Sequence, residues 1–338
     1  MTINTQTSDS PVIDVTDLKI YYPIKKGVFS KTIGHVKAVD SVSFSVNRGE
    51  IFALVGESGC GKTTTAQAVL GLISKTDGSI RISLNNYLKN QIEWDKISPR
   101  EKREIRKHIQ VVFQDPFSSL NPRMTVRSIL EEPMRIHHLY PAKQRKERVI
   151  DLLQKVGLSS EYLTRYPHEF SGGQRQRIGI ARALVTNPEC IVADEPVSAL
   201  DVSIQAQIIN LLQDLQKSYN QTQLFISHDL AVVRHIANRV AVMFLGHIVE
   251  MGTEEQIFTN PLHPYTALLL ESIPIPGKGR STKGNAQVNQ GNQEIQQTEK
   301  GCPFYSRCPR RKNECLDNFP SLIDFGDNHT SACFNPMR

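Results

Sequence analysis

The sequence is 338 residues long and has no run approaching the roughly twenty apolar residues that a helix needs to cross a bilayer. Residues 1–14 are polar and lack the apolar stretch of a secretory signal. We therefore expect a chain without its own membrane anchor, so that any role at a membrane requires separate spanning subunits. Internal repeats are also lacking, which predicts a single copy of each functional motif.

A nucleic-acid recognition motif is lacking as well, although the formal net charge is +6. Basic residues cluster at positions 96–107 and 143–148, but no aromatic residues are interleaved with them. We expect these clusters to be solvated helix faces, with attraction to anionic lipid headgroups as the alternative. No nucleic-acid partner is expected.

The most informative motif present is GESGCGKT at residues 56–63, which matches GxxxxGK[ST]. A buried-strand pattern precedes it at 50–55 and a helical pattern follows at 64–70. Glycines let the backbone approach a polyphosphate, and the loop N–H groups favour anionic oxygens. A chance glycine-rich turn is the alternative. The residues expected to bind the nucleotide are Gly56, Glu57, Ser58, Gly59, Cys60, Gly61, Lys62, Thr63 and Thr64.

Side-chain chemistry assigns individual roles within and beyond this loop. Lys62 supplies a positive charge for the β- and γ-phosphates, and the Thr63 hydroxyl is a hard oxygen ligand for Mg²⁺. The apolar stretch at 190–193 predicts a second core strand that ends in Asp194 and Glu195. Asp194 is expected to orient Mg²⁺ and Glu195 to polarise the attacking water, unless the two carboxylates only form a solvated turn.

Two further motifs, FSGGQ at 170–174 and ISHD at 226–229, complete a set of four that resembles the nucleotide-binding domains of ABC transporters. The resemblance implies a head-to-tail dimer with two ATP molecules at its interface. It also implies Gln114 as the glutamine that senses Mg²⁺ and contacts the membrane partner, and His228 as the switch histidine. The signature residues expected to contact ATP from the opposite subunit are Ser171, Gly172, Gly173 and Gln174, with Asp201 in the loop that crosses the interface.

Tyr22 is expected to stack on adenine, with Tyr21 as the competing candidate. The fold implied by the resemblance is α/β, a P-loop NTPase core of the ABC type with a mixed sheet and an inserted helical subdomain at about 120–180. We expect a nucleotide-binding domain at 11–262, interrupted early by an irregular basic insert at 25–35. A C-terminal extension at 263–338 follows, with a Gly-, Asn- and Gln-rich linker at 277–300.

A closer resemblance to the oligopeptide/dipeptide importer ATPases rests on segments 114–122, 168–178, 263–266 and 301–309. It implies a peripheral ATPase at the cytoplasmic face of the cell membrane that energises peptide import. The implied partners are a second, homologous ATPase in a heterodimer, two transmembrane permease subunits and an extracytoplasmic peptide-binding protein. Nickel importers share such tails, so nickel or another small solute is the alternative cargo. A soluble ABC ATPase that acts on nucleic acid is the less favoured reading.

The C-terminal tail holds four of the six cysteines, Cys302, Cys308, Cys315 and Cys333, spaced C-x5-C-x6-C-x17-C. In a cytosolic ATPase, metal binding is favoured over disulfides. An all-thiolate set suits zinc or an iron–sulfur cluster, but zinc sites usually contain a tight C-x2–4-C pair, which is missing. The family resemblance implies a [4Fe–4S] cluster, with zinc or reduced packing thiols as alternatives.

The two remaining cysteines are expected to differ in reactivity. Cys60 lies beside Lys62 at a helix start, which predicts a lowered pKa and a thiol open to alkylation. Cys190 begins a buried strand and is expected to be inert core.

Overall fold

The computed structural model describes residues 10–26, 31–84, 91–273 and 300–337. Apart from Lys300, the linker expected at 277–300 lies outside the described residues. The strands are β1 (Ile13–Lys26), β2 (Lys31–Val46), β3 (Ile51–Val55), β4 (Asp77–Ile82), β5 (Ile92–Glu93), β6 (Ile109–Val112), β7 (Cys190–Asp194), β8 (Thr222–Ser227), β9 (Arg239–Phe244), β10 (His247–Thr253), β11 (Ile323–Asp324) and β12 (Thr330–Ser331). The α-helices are α1 (Lys62–Val69), α2 (Pro99–His108), α3 (Val126–Ile136), α4 (Ala142–Lys155), α5 (Gly172–Leu184), α6 (Val202–Tyr219), α7 (Leu230–Ile236), α8 (Glu254–Thr259), α9 (Pro264–Glu271) and α10 (Glu314–Asp317).

The larger sheet has eight strands in the order β11-β12-β10-β9-β3-β8-β7-β6. Strands β9, β3, β8, β7 and β6 run parallel, and β10, β12 and β11 are added antiparallel. Every residue of β3, β7 and β8 is buried, as expected for parallel strands covered on both faces. The carboxyl ends of these three strands meet at one edge, where the loops that carry the functional side chains begin.

Hydrophobic residues that alternate along β3 divide the core into two layers. Phe52 and Leu54 pack with α1 and with the smaller antiparallel sheet, whose order is β2-β1-β4-β5. Ala53 and Val55 face the opposite layer, which contains apolar residues of α3, α4, α5 and α6. The helices α3, α4 and α5 pack against one another, and α5 also packs on β6.

The prediction of an irregular insert at 25–35 is wrong for residues 25–26 and 31–35, which the structure describes as strand. Lys25 pairs with Thr32 and Lys26 with Lys31, so both sides of the segment continue the β1–β2 ladder. The described residues on both sides of 27–30 are almost all exposed, so strand formation here rests on backbone pairing and not on an apolar face that the sequence could reveal.

The C-terminal tail extends the larger sheet, which the sequence analysis did not predict. Strand β12 pairs with β10, and the backbone N–H of Ala332 donates to the carbonyl of Val249. The fully buried carboxylate of Glu250 accepts from the backbone N–H groups of Leu262 (2.7 Å) and His263 (2.8 Å). It also lies 2.8 Å from Nε2 of His329 in the tail. One buried carboxylate therefore ties β10, the start of α9 and the tail together.

We expect Glu250→Ala to lower the free energy of unfolding by about 3 kcal/mol, because two backbone N–H groups and His329 lose their buried acceptor. Urea denaturation measures the loss. Glu250→Gln, which keeps one carbonyl oxygen, should cost less, and Glu255→Gln on the exposed side of α8 should cost almost nothing. A loss for Glu250→Ala as small as that of Glu255→Gln would contradict this role.

Candidate functional site

The glycine-rich loop 56–63 joins β3 to α1, with α1 beginning at Lys62. Gly56 and Gly61 have φ values of 152° and 108°. A Cβ at Gly56 would lie 2.1 Å from the Met243 carbonyl oxygen, and one at Gly61 would lie 2.3 Å from that of Ala38. These glycines are required because the loop is pressed against neighbouring backbone and takes conformations that L side chains rarely adopt.

Lys62 is buried with its amine folded back onto the loop. Nζ donates to the carbonyl oxygens of Gly56 (2.8 Å) and Glu57 (2.9 Å) and lies 3.6 Å from Sγ of Cys60. The positive charge is therefore held within the glycine-rich loop, at the start of α1. Such an arrangement attracts the oxygens of a phosphate chain.

Two oxygen-bearing side chains predicted to bind Mg²⁺ are in contact. Oγ1 of Thr63 donates to Oδ1 of Asp194 at 3.1 Å. Burial raises the pKa of Asp194 above its ordinary value, and the hydrogen bond from Thr63 offsets part of that rise. A hydroxyl and a carboxylate are the hard oxygen ligands that Mg²⁺ prefers, so this pair fits the ion.

Three residues predicted to act in catalysis meet at the Glu195 carboxylate. Oε2 of Glu195 accepts from Nε2 of Gln114 at 3.1 Å and lies 3.0 Å from Nδ1 of His228. Glu195 itself has φ of 46°, a left-handed conformation that is uncommon for a residue with a side chain. Its backbone N–H donates to the carbonyl of Ile226, which fixes the turn after β7 against β8. Gln114 and His228, which lie 81 positions before and 33 positions after Glu195 in the chain, are thus brought to one carboxylate.

The FSGGQ motif forms the start of α5. Ser171 Oγ accepts from the backbone N–H of Gln174, whose side chain accepts in return from the N–H of Ser171, so the two form a capping box. A Cβ at Gly173 would lie 2.5 Å from Cγ2 of Ile204, because α5 packs closely on the start of α6, which Asp201 caps. No hydrogen bond among the described residues joins 171–174 to loop 56–63.

The two tyrosines near the end of β1 have different surroundings. The Tyr21 hydroxyl donates to Oδ1 of Asp40 at 2.6 Å, and burial raises its pKa. Tyr22 is exposed on the neighbouring position of the strand. Tyr22 therefore presents the ring with an accessible face, while Tyr21 is engaged with Asp40.

Two residues at this site escaped the sequence analysis. The hydroxyl of Tyr265 accepts from the backbone N–H of Glu57 at 3.1 Å. Arg307 donates both terminal nitrogens to the Glu57 carboxylate, at 2.9 and 3.0 Å. Both lie in segments 263–266 and 301–309, to which the sequence analysis gave no role at the phosphate loop. Their proximity to the phosphate loop depends on contacts over 208 and 250 residues, for which the sequence carries no local signal.

The four tail cysteines, Cys302, Cys308, Cys315 and Cys333, line one small cavity. None of the six cysteines, all of which the structure describes, forms a disulfide. Burial raises the pKa of Cys302 to about 11 and also raises those of Cys308 and Cys333. Within the described ranges, no three His, Cys, Asp or Glu side chains form a group that could hold a metal ion. The thiols thus converge on one cavity without the arrangement that a single ion requires.

The prediction of a reactive Cys60 is wrong. Its side chain is buried in the hydrophobic core, and this burial raises the pKa of the thiol despite the opposing effect of Lys62. Cys190 is fully buried with its pKa raised to about 12, which confirms it as inert core.

Across the part of the chain that is described, no helix has the length and apolar character needed to cross a bilayer.

Comparison with known proteins gives two family models that match, described as ABC transporter over residues 39–198 and as Oligopeptide/dipeptide transporter, C-terminal region, over residues 249–315. The chain is 48% identical to the oligopeptide transport ATP-binding protein AppF of Bacillus subtilis, covering 97% of this chain and 98% of AppF. It is 46% identical to the dipeptide transport ATP-binding protein DppF of Haemophilus influenzae, covering 98% and 99%.

Solved structures show the same fold. One is the dimeric post-hydrolysis state of the ATP-binding cassette MJ0796 bound to ADP and Pi, with a TM-score of 0.61 and 27% identity over 72% of this chain and 98% of that one. Another is cbiO1 from Clostridium perfringens, part of the ABC transporter complex cbiONQ, with a TM-score of 0.61 and 25% identity over 75% and 92%. These matches confirm the predicted α/β cassette fold.

Proposed function

The chain belongs to the ABC transporter family, and from this premise we propose that it is the ATP-binding and ATP-hydrolysing subunit of a membrane importer of di- and oligopeptides. The observation that carries the proposal is the meeting of Gln114 and His228 at the Glu195 carboxylate, next to the contact between Thr63 and Asp194. The assignment of peptides as the cargo rests on the relatives, which are named for oligopeptide and dipeptide transport.

In this proposal, the loop N–H groups and Lys62 bind the phosphates of ATP. Thr63, Asp194 and Gln114 would hold Mg²⁺, which neutralises charge on the β- and γ-phosphates when bound. Glu195 accepts a proton from the attacking water, and His228 orients the Glu195 carboxylate and contacts the γ-phosphate. Tyr22 stacks on the adenine ring.

We propose that Ser171, Gly172, Gly173, Gln174 and Asp201 complete the ATP site of a second ATPase subunit. One support is the start of α5, where the capping box of Ser171 and Gln174 fixes the first turn of the helix. These residues form no hydrogen bond with the described loop 56–63 of their own chain, and a solved cassette with the same fold is a dimer. The second ATPase is proposed to be a homologous, different chain. Two permease subunits and an extracytoplasmic peptide-binding protein complete the importer, with this chain at the cytoplasmic face.

We also propose that Cys302, Cys308, Cys315 and Cys333 hold a [4Fe–4S] cluster. The convergence of four thiols on one cavity supports four-cysteine ligation. A zinc ion is the weaker choice, because zinc at about 2.3 Å from each sulfur needs the thiols closer together than a cluster does. Anaerobically purified protein should contain about four iron atoms per chain, and Cys308→Ser should lose most of them. Iron-free protein with full ATPase activity would remove this proposal.

Reconstitution tests the proposed function. The subunit should sediment with membranes only when the permease subunits are co-expressed, and vesicles carrying the complex should take up labelled peptides when ATP is supplied. Uptake of Ni²⁺ in place of peptides would assign the alternative cargo. Purified chain that hydrolyses ATP only when nucleic acid is added would overturn import in favour of the soluble alternative.

A further inference from the structure

Glu57, inside the phosphate loop, is held from outside the loop at two points. Its backbone N–H donates to the hydroxyl of Tyr265 in α9, and its carboxylate receives both terminal nitrogens of Arg307. Its carbonyl oxygen also accepts from Nζ of Lys62 at 2.9 Å. One loop residue therefore connects the lysine of the phosphate site to two C-terminal elements.

Arg307 is itself fixed by its surroundings. The guanidinium lies 5.7 Å from the ring centroid of Phe244 and 5.6 Å from that of Phe304. Phe304 is buried and packs edge-on to Phe244 and tilted against Tyr265. The aromatic residues limit the positions of the arginine, so its bidentate fork is directed at Glu57 with little further loss of side-chain entropy.

The turn that carries Arg307 is the one that lines the cysteine cavity. Tyr305–Arg307 form a 3₁₀ turn, in which the N–H of Tyr305 donates to the carbonyl of Cys302 and that of Cys308 to Tyr305. Cys302, Phe304 and Cys308 all line the cavity. Arg307, which contacts the phosphate loop, is therefore the immediate chain neighbour of Cys308, which lines the cavity.

We infer that Arg307 is a positioning residue of the ATP site, which holds the phosphate-binding loop through Glu57 and so makes the cysteine-lined turn part of the structure that binds ATP. The inference rests on the proposed ATP-binding function. An ordinary surface ion pair contributes little, and both side chains here are partly exposed. This pair differs because it is bidentate, its arginine is packed on aromatic rings, and Tyr265 holds the same loop residue at its backbone.

The test measures ATP affinity and turnover of the purified full-length chain. Arg307→Ala should raise Kd for ATP about three- to tenfold, while kcat at saturating ATP stays within about twofold of the original. Arg307→Lys, which keeps the charge but not the fork, should give an intermediate Kd. Lys312→Ala is the matched control, because Lys312 lies in the same tail and its partly exposed amine is 3.8 Å from the carboxylate of Glu314.

Glu57→Gln weakens the same ion pair by changing its partner in the loop. This variant tests the inference even if Arg307→Ala proves unstable. The double variant should have no higher Kd than either single variant, because both remove the same interaction. Equal Kd values for the original chain, Arg307→Ala and Glu57→Gln would overturn the inference, as would fully additive effects. A chain that binds no ATP even without substitution refutes the proposed function instead, so the two failures are distinguishable.

Discussion

Replacement of Glu195 by glutamine is expected to lower kcat for ATP hydrolysis about 10²- to 10⁴-fold while ATP binding is retained. Gln has the same shape and can keep the contacts with Gln114 and His228, but it cannot accept a proton from water. Phosphate release at saturating ATP measures the loss. Because hydrolysis is blocked after binding, the variant mixed with the second ATPase subunit should accumulate as a closed dimer when ATP is present, which size-exclusion chromatography detects.

Glu147→Gln is the matched control, since Glu147 is an exposed carboxylate on α4, away from the loop. It should leave kcat and the elution profile unchanged. Rapid turnover by Glu195→Gln would contradict the assignment of Glu195 as the proton acceptor. A variant that neither binds ATP nor turns over would indicate instead that the left-handed turn at Glu195 had been disturbed.

Replacement of Lys62 by alanine is expected to raise Kd for ATP about 100-fold, because a charge-assisted contact with two phosphates is lost. The original chain should gain about 2.7 kcal/mol of stability at an ATP concentration 100 times Kd, and the variant should gain little at that same concentration. Thermal unfolding with and without ATP measures both. Peptide uptake by vesicles carrying the variant should fall to background.

Lys155→Ala controls for loss of a lysine elsewhere, since Lys155 is paired with Asp151 on the surface of α4. It should keep the thermal shift with ATP. Lys62 is buried and donates to two loop carbonyls, so the variant's own stability without ATP must be compared first. Tight ATP binding by a folded Lys62→Ala chain would contradict the proposed phosphate contact.

The nucleotide motifs could be located from the sequence because each is encoded locally. The GxxxxGK[ST] loop needs a strand before it and a helix after it, and the residue patterns directly before and after the loop predict both elements. Ser171 and Gln174 lie three residues apart, the spacing of a capping box. The parallel order of β3, β8 and β7 then brings Asp194, Glu195 and His228 to the same edge without further information.

The C-terminal arrangement could not be predicted in the same way. Strands β11 and β12 have two residues each, too short for any periodic pattern. The contacts of Glu57 with Tyr265 and Arg307 join distant parts of the chain and depend on how the aromatic residues pack. The predicted low pKa of Cys60 was wrong for a related reason. The sequence shows its charged neighbour Lys62, but it does not show how deeply the thiol is buried.

The buried Glu250 has a consequence for the order in which the protein folds during synthesis. Its partner His329 and the strand β12 are translated about eighty residues after it, long after the parallel strands can assemble. Until then, the outer edge of β10 has no neighbour on that side and a buried carboxylate lacks one of its contacts. The nascent chain therefore passes through a stage with an open sheet edge, the kind of surface on which strands of other chains can pair. Once the tail is complete, β12 covers that edge at Glu250 and Met251.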